Sequence, residues 1–371
     1  MTGENRANSE KLRTQLQALA RGPELFLRDI DPGRNAAILS PMSEDSYRRS
    51  SFLGSRLTRD GERDFVVPVD ALIQILSETG RPEGHVNYIF HVGHCGSTLL
   101  SRLLGELDEF HALREPAVLM GLSRSYRALG ESGFDMTRER WQMLYDLAVA
   151  LLSRTWRPDQ TALVKATSHA GNLIPMLMNQ TGKEKALFLY TDLETYLVTM
   201  LRSHTRNENR LYAKEFRIRE FMSLAPSRSG DFDDYPDAHI AAMTWLLHTR
   251  EFDLACADTD TASRVLVMSF EEYLADPPKH LGRICQFMDA PIGADVLQDL
   301  LYGPAATSHA KLPDSDFDAT KRKSELDVAR KKSSQEIDAG MTWARQVCSE
   351  EPAFAGLIER YQCPRALSGP R

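Results

Sequence analysis

Apolar positions along the chain fall into two alternating patterns. Val86-Asn87-Tyr88-Ile89-Phe90-His91-Val92 is a β-rich run with little polarity, the pattern of a strand buried on both faces. Further β-type runs lie at Ala162–Lys165, Ala186–Tyr190 and Val265–Ser269. Between them the period lengthens to that of a helix. Leu99, Leu100, Leu103, Leu104 and Leu107 share one helical face, and helical runs follow at Arg138–Arg154, His169–Asn179, Leu193–Ser203, Asp237–Ala257 and Pro278–Met288. Buried strands alternating with helices predict right-handed βαβ crossovers, hence an α/β fold of three layers (α/β/α) around a central parallel sheet. Upstream the pattern is weaker. Residues 1–22 read as a polar amphipathic helix. The Pro-, Gly-, Ser- and Arg-rich stretch from about 23 to 60 reads as an arm or covering layer. Phe65–Val69 reads as a short strand that Pro68 confines to an edge. Asp70 is placed to cap a helix Ala71–Thr79 that Gly80 ends. The division expected is 1–84 as helix, arm and cover, and 85–371 as the α/β domain with a helical C-terminal segment. Within the latter, 305–340 is polar, carries Lys-Arg-Lys at 321–323 and Arg-Lys-Lys at 330–332, and reads as a mobile loop followed by a helix.

Composition narrows the class. The chain has 371 residues, 42% hydrophobic and 26% charged, enough to bury a sizeable core. A net charge of −7 argues against a generic nucleic-acid coat. No apolar run reaches the roughly 18 residues of a membrane span. The N-terminus lacks the apolar core of a secretory signal. Five scattered cysteines without CxxC pairs fit a reducing cytoplasm, with neither a disulfide framework nor structural zinc.

The most informative stretch is the turn Gly93-His94-Cys95-Gly96-Ser97-Thr98 between strand 86–92 and the helix that follows. Glycines let a backbone turn sharply and approach a ligand closely. N–H groups of a first helical turn, with the hydroxyls of Ser97 and Thr98, then face the turn as an anion seat. The stretch is not a nucleotide P-loop, which needs four residues between its glycines and a Lys before the Ser/Thr. The other reading is an ordinary tight βα turn.

The turn and its neighbours resemble the sulfotransferase superfamily. Phe90–Leu100 is similar to the loop that holds the 5′-phosphosulfate of the donor, 3′-phosphoadenosine 5′-phosphosulfate. Leu113-Arg114-Glu115-Pro116 resembles the strand ending in Arg-Glu-Pro of bacterial members, and Leu163–His169 the strand carrying a Lys. Ala186–Arg202 resembles the 3′-phosphate unit, and Val267–Pro277 the strand before a helix ending in an aromatic, here Phe287. The likeness runs in order over about residues 86–290. It implies a P-loop NTPase-like (sulfotransferase) architecture, that donor, no metal, and an acceptor with a hydroxyl or amine. Gly93, His94, Cys95, Gly96, Ser97 and Thr98 would hold the 5′ end, with Cys95 as small filler. Thr191 and Thr199 would face the 3′-phosphate. The family's usual Lys or Arg is His94 here, its Arg is Thr191, and its Ser is Thr199. Arg202, Arg206 or the 321–323 cluster, Arg322 among it, would supply the missing charge.

Sulfuryl transfer needs an in-line arrangement and neutralisation of the leaving phosphate. Lys165, at a strand end, is the cation for that task; its other reading is a surface lysine. Glu115 is a general base, or else an acid at a helix N-terminus. His169 is the rival base, or a packing residue. His94 holds sulfuryl oxygens, carries a proton, or is satisfied by the turn. His111 and Arg114 line an acceptor pocket or finish a strand, and Trp245 with Phe252 reads as core. Small-molecule, carbohydrate, lipid and peptide acceptors all remain open, as does a homodimer, and no nucleic acid is expected. Two rivals stand. One is a kinase or NTPase, in which Asp192 at a strand end mimics a magnesium-holding acid. The other is a non-catalytic nucleotide or anion binder.

Overall fold

The computed structural model describes residues 22–54, 56–58, 63–80, 84–202, 205–207, 210–211, 213, 217–228, 234–309, 312–316 and 319–363. The helix expected over 1–22 lies outside them but for its last residue, as does the side chain of Lys321. Two compact units emerge, one drawn from 1–89 and 100–185, the other from 90–99 and 186–371.

The first unit opens with an antiparallel sheet in the order β1 (Leu25–Asp31), β2 (Ala36–Pro41), β3 (Phe65–Pro68). β1, β2 and the helix Glu44–Arg49 fall in the 23–60 stretch expected as an arm or covering layer. Phe26, Leu27, Ala37, Leu39, Tyr47 and Leu53 are all buried there. The Pro32-Gly33-Arg34 corner, closed by Asn35 at φ 49°, joins β1 to β2. β3 is the edge strand, where a proline removes no ladder hydrogen bond from a central position. The helix after it spans Val69–Thr79, and Asp70 does not cap it. Asp70 sits inside the first turn, accepting from Asn35 Nδ2 at 2.9 Å and pairing with Arg140 at 2.7 Å. Gly80, at φ 83°, ends the helix as expected.

The main sheet has five parallel strands flanked by helices. Its strands are β4 (Val86–His91), β5 (Phe110–Arg114), β6 (Thr161–Lys165), β7 (Ala186–Tyr190) and β8 (Val265–Ser269), in the order β5-β6-β4-β7-β8. All six β4 residues are buried. Its one amide, Asn87, accepts the Lys185 N–H at 2.9 Å, so the buried polar group is satisfied. The expected helices appear as Arg138–Leu152, Leu193–Met200, Asp237–Ala255 and Pro277–Phe287. Residues 168–179 differ: a 3-10 turn over Ser168–Leu173 leads into a short helix Ile174–Leu177, because Pro175 has no N–H to donate. A helix at Ala117–Ala128 had no sequence expectation; Gly121, Ser123 and Ser125 dilute its apolar stripe. The 305–340 stretch holds short strands Ser308–His309 and Leu312–Asp316 and the helix Ala319–Lys332, followed by Ser334–Glu350.

Candidate functional site

β4 leads directly into the turn. Gly93 (φ 91°), His94 (φ 53°) and Gly96 (φ 75°) all lie in the left-handed region, which curls successive peptides into a concave bend before the helix Ser97–Leu104. Two histidines fix its entrance. Gly93 N–H donates to His91 Nδ1 at 3.0 Å, which puts the neutral ring's proton on Nε2, and His248 Nδ1 donates to Val92 O at 3.0 Å. The Gly93 N–H is thus committed to the turn itself. The Cys95 thiol donates to Leu189 O at 3.2 Å and is fully buried, which fits a filler. Gly93, His94 and Gly96 are partly exposed, while Ser97 and Thr98 are buried on the first helical turn. Gly96 has a reason to be glycine beyond its φ. A Cβ there would fall inside the Phe270 ring, so the ring, not a ligand, fills that direction.

Phe270 begins the helix Phe270–Ala275 after β8, and the Arg322 guanidinium lies 5.0 Å from its ring centre. Arg322 also pairs with Glu271 at 3.2 Å. The Thr191 hydroxyl, after β7, donates to the same carboxylate, 3.1 Å from either oxygen. Glu271 went unnoticed in the sequence. Two other residues assigned to this end are engaged in helix surfaces. Thr199 Oγ1 donates to Thr195 O at 3.0 Å, and Arg202 pairs with Glu325 at 3.0 Å. Arg206 pairs with Glu336 at 2.9 Å and Asp237 at 3.0 Å; the Glu336 hydrogen bond leads the causes that raise its pKa. Asp192 accepts the Thr195 N–H at 2.7 Å as the cap of the helix Leu193–Met200, which occupies the acid that the kinase reading needs. Trp245 is core, its Nε1 donating to Thr191 O at 2.9 Å, and Phe252 stacks on Phe188 at 3.6 Å.

In the first unit, Lys165 ends β6 level with Ile89 on β4, two residues before that strand ends. Its side chain is 1% exposed, which rules out the surface-lysine reading. The ammonium donates to Glu115 Oε1 and lies 5.5 Å from the ring centre of Phe52. Glu115 is itself in the left-handed region, at φ 49°, and its N–H donates to Lys165 O at 2.8 Å. Backbone and side chain therefore both tie Glu115 to Lys165. Phe52 is delivered by the 50–54 segment, which runs against the end of β5: Leu53 N–H donates to Arg114 O at 2.7 Å, and Ala117 N–H to Leu53 O at 3.1 Å. A lone aromatic in a Ser-rich stretch gave no signal for this role. The backbone of His169 is structural, its carbonyl accepting from Ser123 Oγ at 2.8 Å and Arg127 Nη1 at 3.0 Å. Arg114 finishes β5, of which His111 is the second residue. Arg114 Nη2 donates to Tyr47 O at 2.7 Å and Arg48 O at 2.8 Å. Burial first, then Arg154 and Arg114, push the pKa of His111 down to about 3.

The second unit thus presents a left-handed turn ahead of the helix Ser97–Leu104, and the first unit a buried Lys165 that ends β6 and is paired with Glu115 just past β5. Among the described residues no three His, Cys, Asp or Glu side chains group as a metal site, and no helix is long and apolar enough to cross a membrane. Comparison adds a likeness in fold. No family model matches the chain, and no curated protein is similar to it. Solved structures that it is similar to include the sulfotransferase domain from the curacin biosynthetic pathway (14% identity, TM-score 0.41, 69% of this chain and 99% of that one). Another is sulfotransferase STF9 from Mycobacterium avium (13%, 0.39, 73% and 80%). A third is retinol dehydratase in complex with androsterone and the inactive cofactor PAP (14%, 0.38, 88% and 97%).

Proposed function

We propose that this chain is a sulfuryl-transfer enzyme of the sulfotransferase kind, moving the group from an adenosine phosphosulfate to a hydroxyl or amine. The observation that carries the reading is the turn. Its left-handed residues follow β4 and lead directly into the helix Ser97–Leu104. Backbone N–H groups at the start of the helix Ser97–Leu104 hold the 5′ anion, since those groups have no intrahelical acceptor. Lys165 supplies positive charge for the leaving phosphate, and its burial strengthens that charge by keeping water away. Glu115 accepts the acceptor's proton. It touches the Lys165 ammonium, and its side chain is 27% exposed, so a substrate can reach it. The NTPase reading is weaker because the turn lacks the phosphate-binding Lys and Asp192 serves as a helix cap.

The test is thermal stabilisation in EDTA, followed by transfer of labelled sulfate to a panel of hydroxyl and amine acceptors. Adenosine 5′-monophosphate or 3′,5′-adenosine bisphosphate raises Tm without a divalent ion. Lys165→Met keeps nucleotide binding and lowers turnover by about a hundredfold or more, the usual scale for removing one electrostatic stabiliser. Stabilisation by ATP with magnesium alone would hand the protein to the kinase reading.

A further inference from the structure

The nucleotide seat contains a carboxylate where a ribose phosphate would need a cation. We propose that Glu271 makes this seat a reader of free ribose hydroxyls, so that the nucleotide taken up carries no phosphate on its ribose; this rests on the function proposed above. In open parallel sheets, ligands lie over the carboxyl ends of the strands. A nucleotide with its 5′ anion in the β4 turn therefore has its ribose over the ends of the neighbouring strands. β4 is flanked by β6, whose end carries Lys165, and by β7. On the β7 side Val92 N–H donates to Leu189 O at 3.3 Å, and β8 pairs with β7 up to Tyr190 and Ser269. Thr191 follows the first of these ends directly, and Glu271 stands two residues past the second.

The Glu271 carboxylate is held in place by three side chains. Thr191 donates at 3.1 Å, Arg322 at 3.2 Å and the Cys363 thiol at 3.4 Å. An ionised carboxylate has about four acceptor sites. Among the described residues those three side chains are its donors, and the side chain is 28% exposed, so a hydroxyl can reach it. A phosphomonoester would meet a different field. Arg322 is already shared with Glu271, and Arg202 is held by Glu325. Asp192 and Glu272 add negative charge nearby. The Tyr190 phenol records it, pushed up to about 12 by burial first and then by Cys363, Glu272, Asp192 and Glu271. A phosphate of nearly two negative charges is repelled there, while ribose hydroxyls donate to Glu271. Dinucleotide sites make the same choice, an acid for a free ribose hydroxyl and an arginine for a phosphorylated one.

Isothermal titration of the full chain in EDTA with adenosine 5′-monophosphate and with 3′,5′-adenosine bisphosphate tests this. The monophosphate binds at least tenfold tighter. Glu271→Gln narrows the gap to under threefold, and Thr191→Arg turns it in favour of the bisphosphate. The wild-type ratio needs no variant to fold. A bisphosphate bound as tightly as the monophosphate, or a tenfold gap that survives in Glu271→Gln, overturns the role of Glu271 and leaves the proposed enzyme standing. A wild-type chain that binds neither nucleotide removes both.

Discussion

Gly96 shows how one position answers to two demands. Its φ of 75° suits a glycine, and the Phe270 ring occupies the space where a Cβ would go. Substituting alanine at a positive φ costs about 1 kcal/mol, and forcing a methyl group against a packed ring adds about 1–3 kcal/mol. Gly96→Ala is therefore expected to lose about 2–4 kcal/mol in urea unfolding. The two demands are separable. In the background of Phe270→Leu the same alanine loses less, because the smaller side chain yields and only the backbone term stays. Strict additivity of the two substitutions would show that the ring is not what excludes the methyl. His94 tolerates φ 53° where most side chains do not, since histidine is among the residues enriched in that region.

Between elements, Arg217 and Glu251 form a buried tie in the second unit. Arg217 is fully buried just before the helix Ile218–Leu224, and Glu251 lies buried on the helix Asp237–Ala255. The pair is bidentate, at 2.8 and 3.1 Å, and Glu220 adds a contact at 3.0 Å. Burial works against the guanidinium charge, yet Glu251 and Glu220 outweigh it and raise the pKa. Removing Glu251 leaves the buried guanidinium to the partly exposed Glu220, so Glu251→Ala should cost up to about 3–5 kcal/mol in denaturant unfolding. A loss under about 1 kcal/mol, the range of a solvent-screened pair, would mean water reaches the guanidinium. The same contrast between local and distant partners explains what could be read from sequence. β4, β6 and β7 are continuous apolar runs and announce themselves. The turn at 93–96 was legible because glycines and a following leucine stripe are neighbours in the chain. β1 and β2 were hidden because neither alternates cleanly and the Pro32 corner between them reads as loop. Thr191 could be singled out, but not its partner Glu271, which lies 80 residues away in a run of two acids that looks like helix N-terminal charge. Phe52 and Lys165 meet across an even longer stretch of chain, and no periodicity reports such a pairing.

At the scale of the whole molecule, proton uptake on unfolding links the buried groups to pH. His111 sits edge-on to Tyr47, ring centres 4.6 Å apart, and faces Trp156 at 6.1 Å. Arg154, also fully enclosed, donates to the carbonyls of Gly22, Leu25 and Leu151 and so gathers separate stretches of the first unit around that histidine. Burial, Arg154 and Arg114 hold the imidazole neutral down to about 3, whereas in the unfolded chain it charges near 6.5. The unfolded chain therefore binds more protons in between. The stability contributed by the neutral ring is complete above about 6.5 and is lost as pH falls toward about 3. The slope from this one group reaches about 1.4 kcal/mol per pH unit. Replacing the ring by His111→Phe keeps an aromatic among the same neighbours and removes the proton site. Urea unfolding of both proteins from pH 7 to pH 4 should show the wild type losing stability faster, with the curves converging or crossing at the acid end. Parallel curves would mean that water or an acid partner reaches His111 and that the guanidinium groups around it do not set its charge.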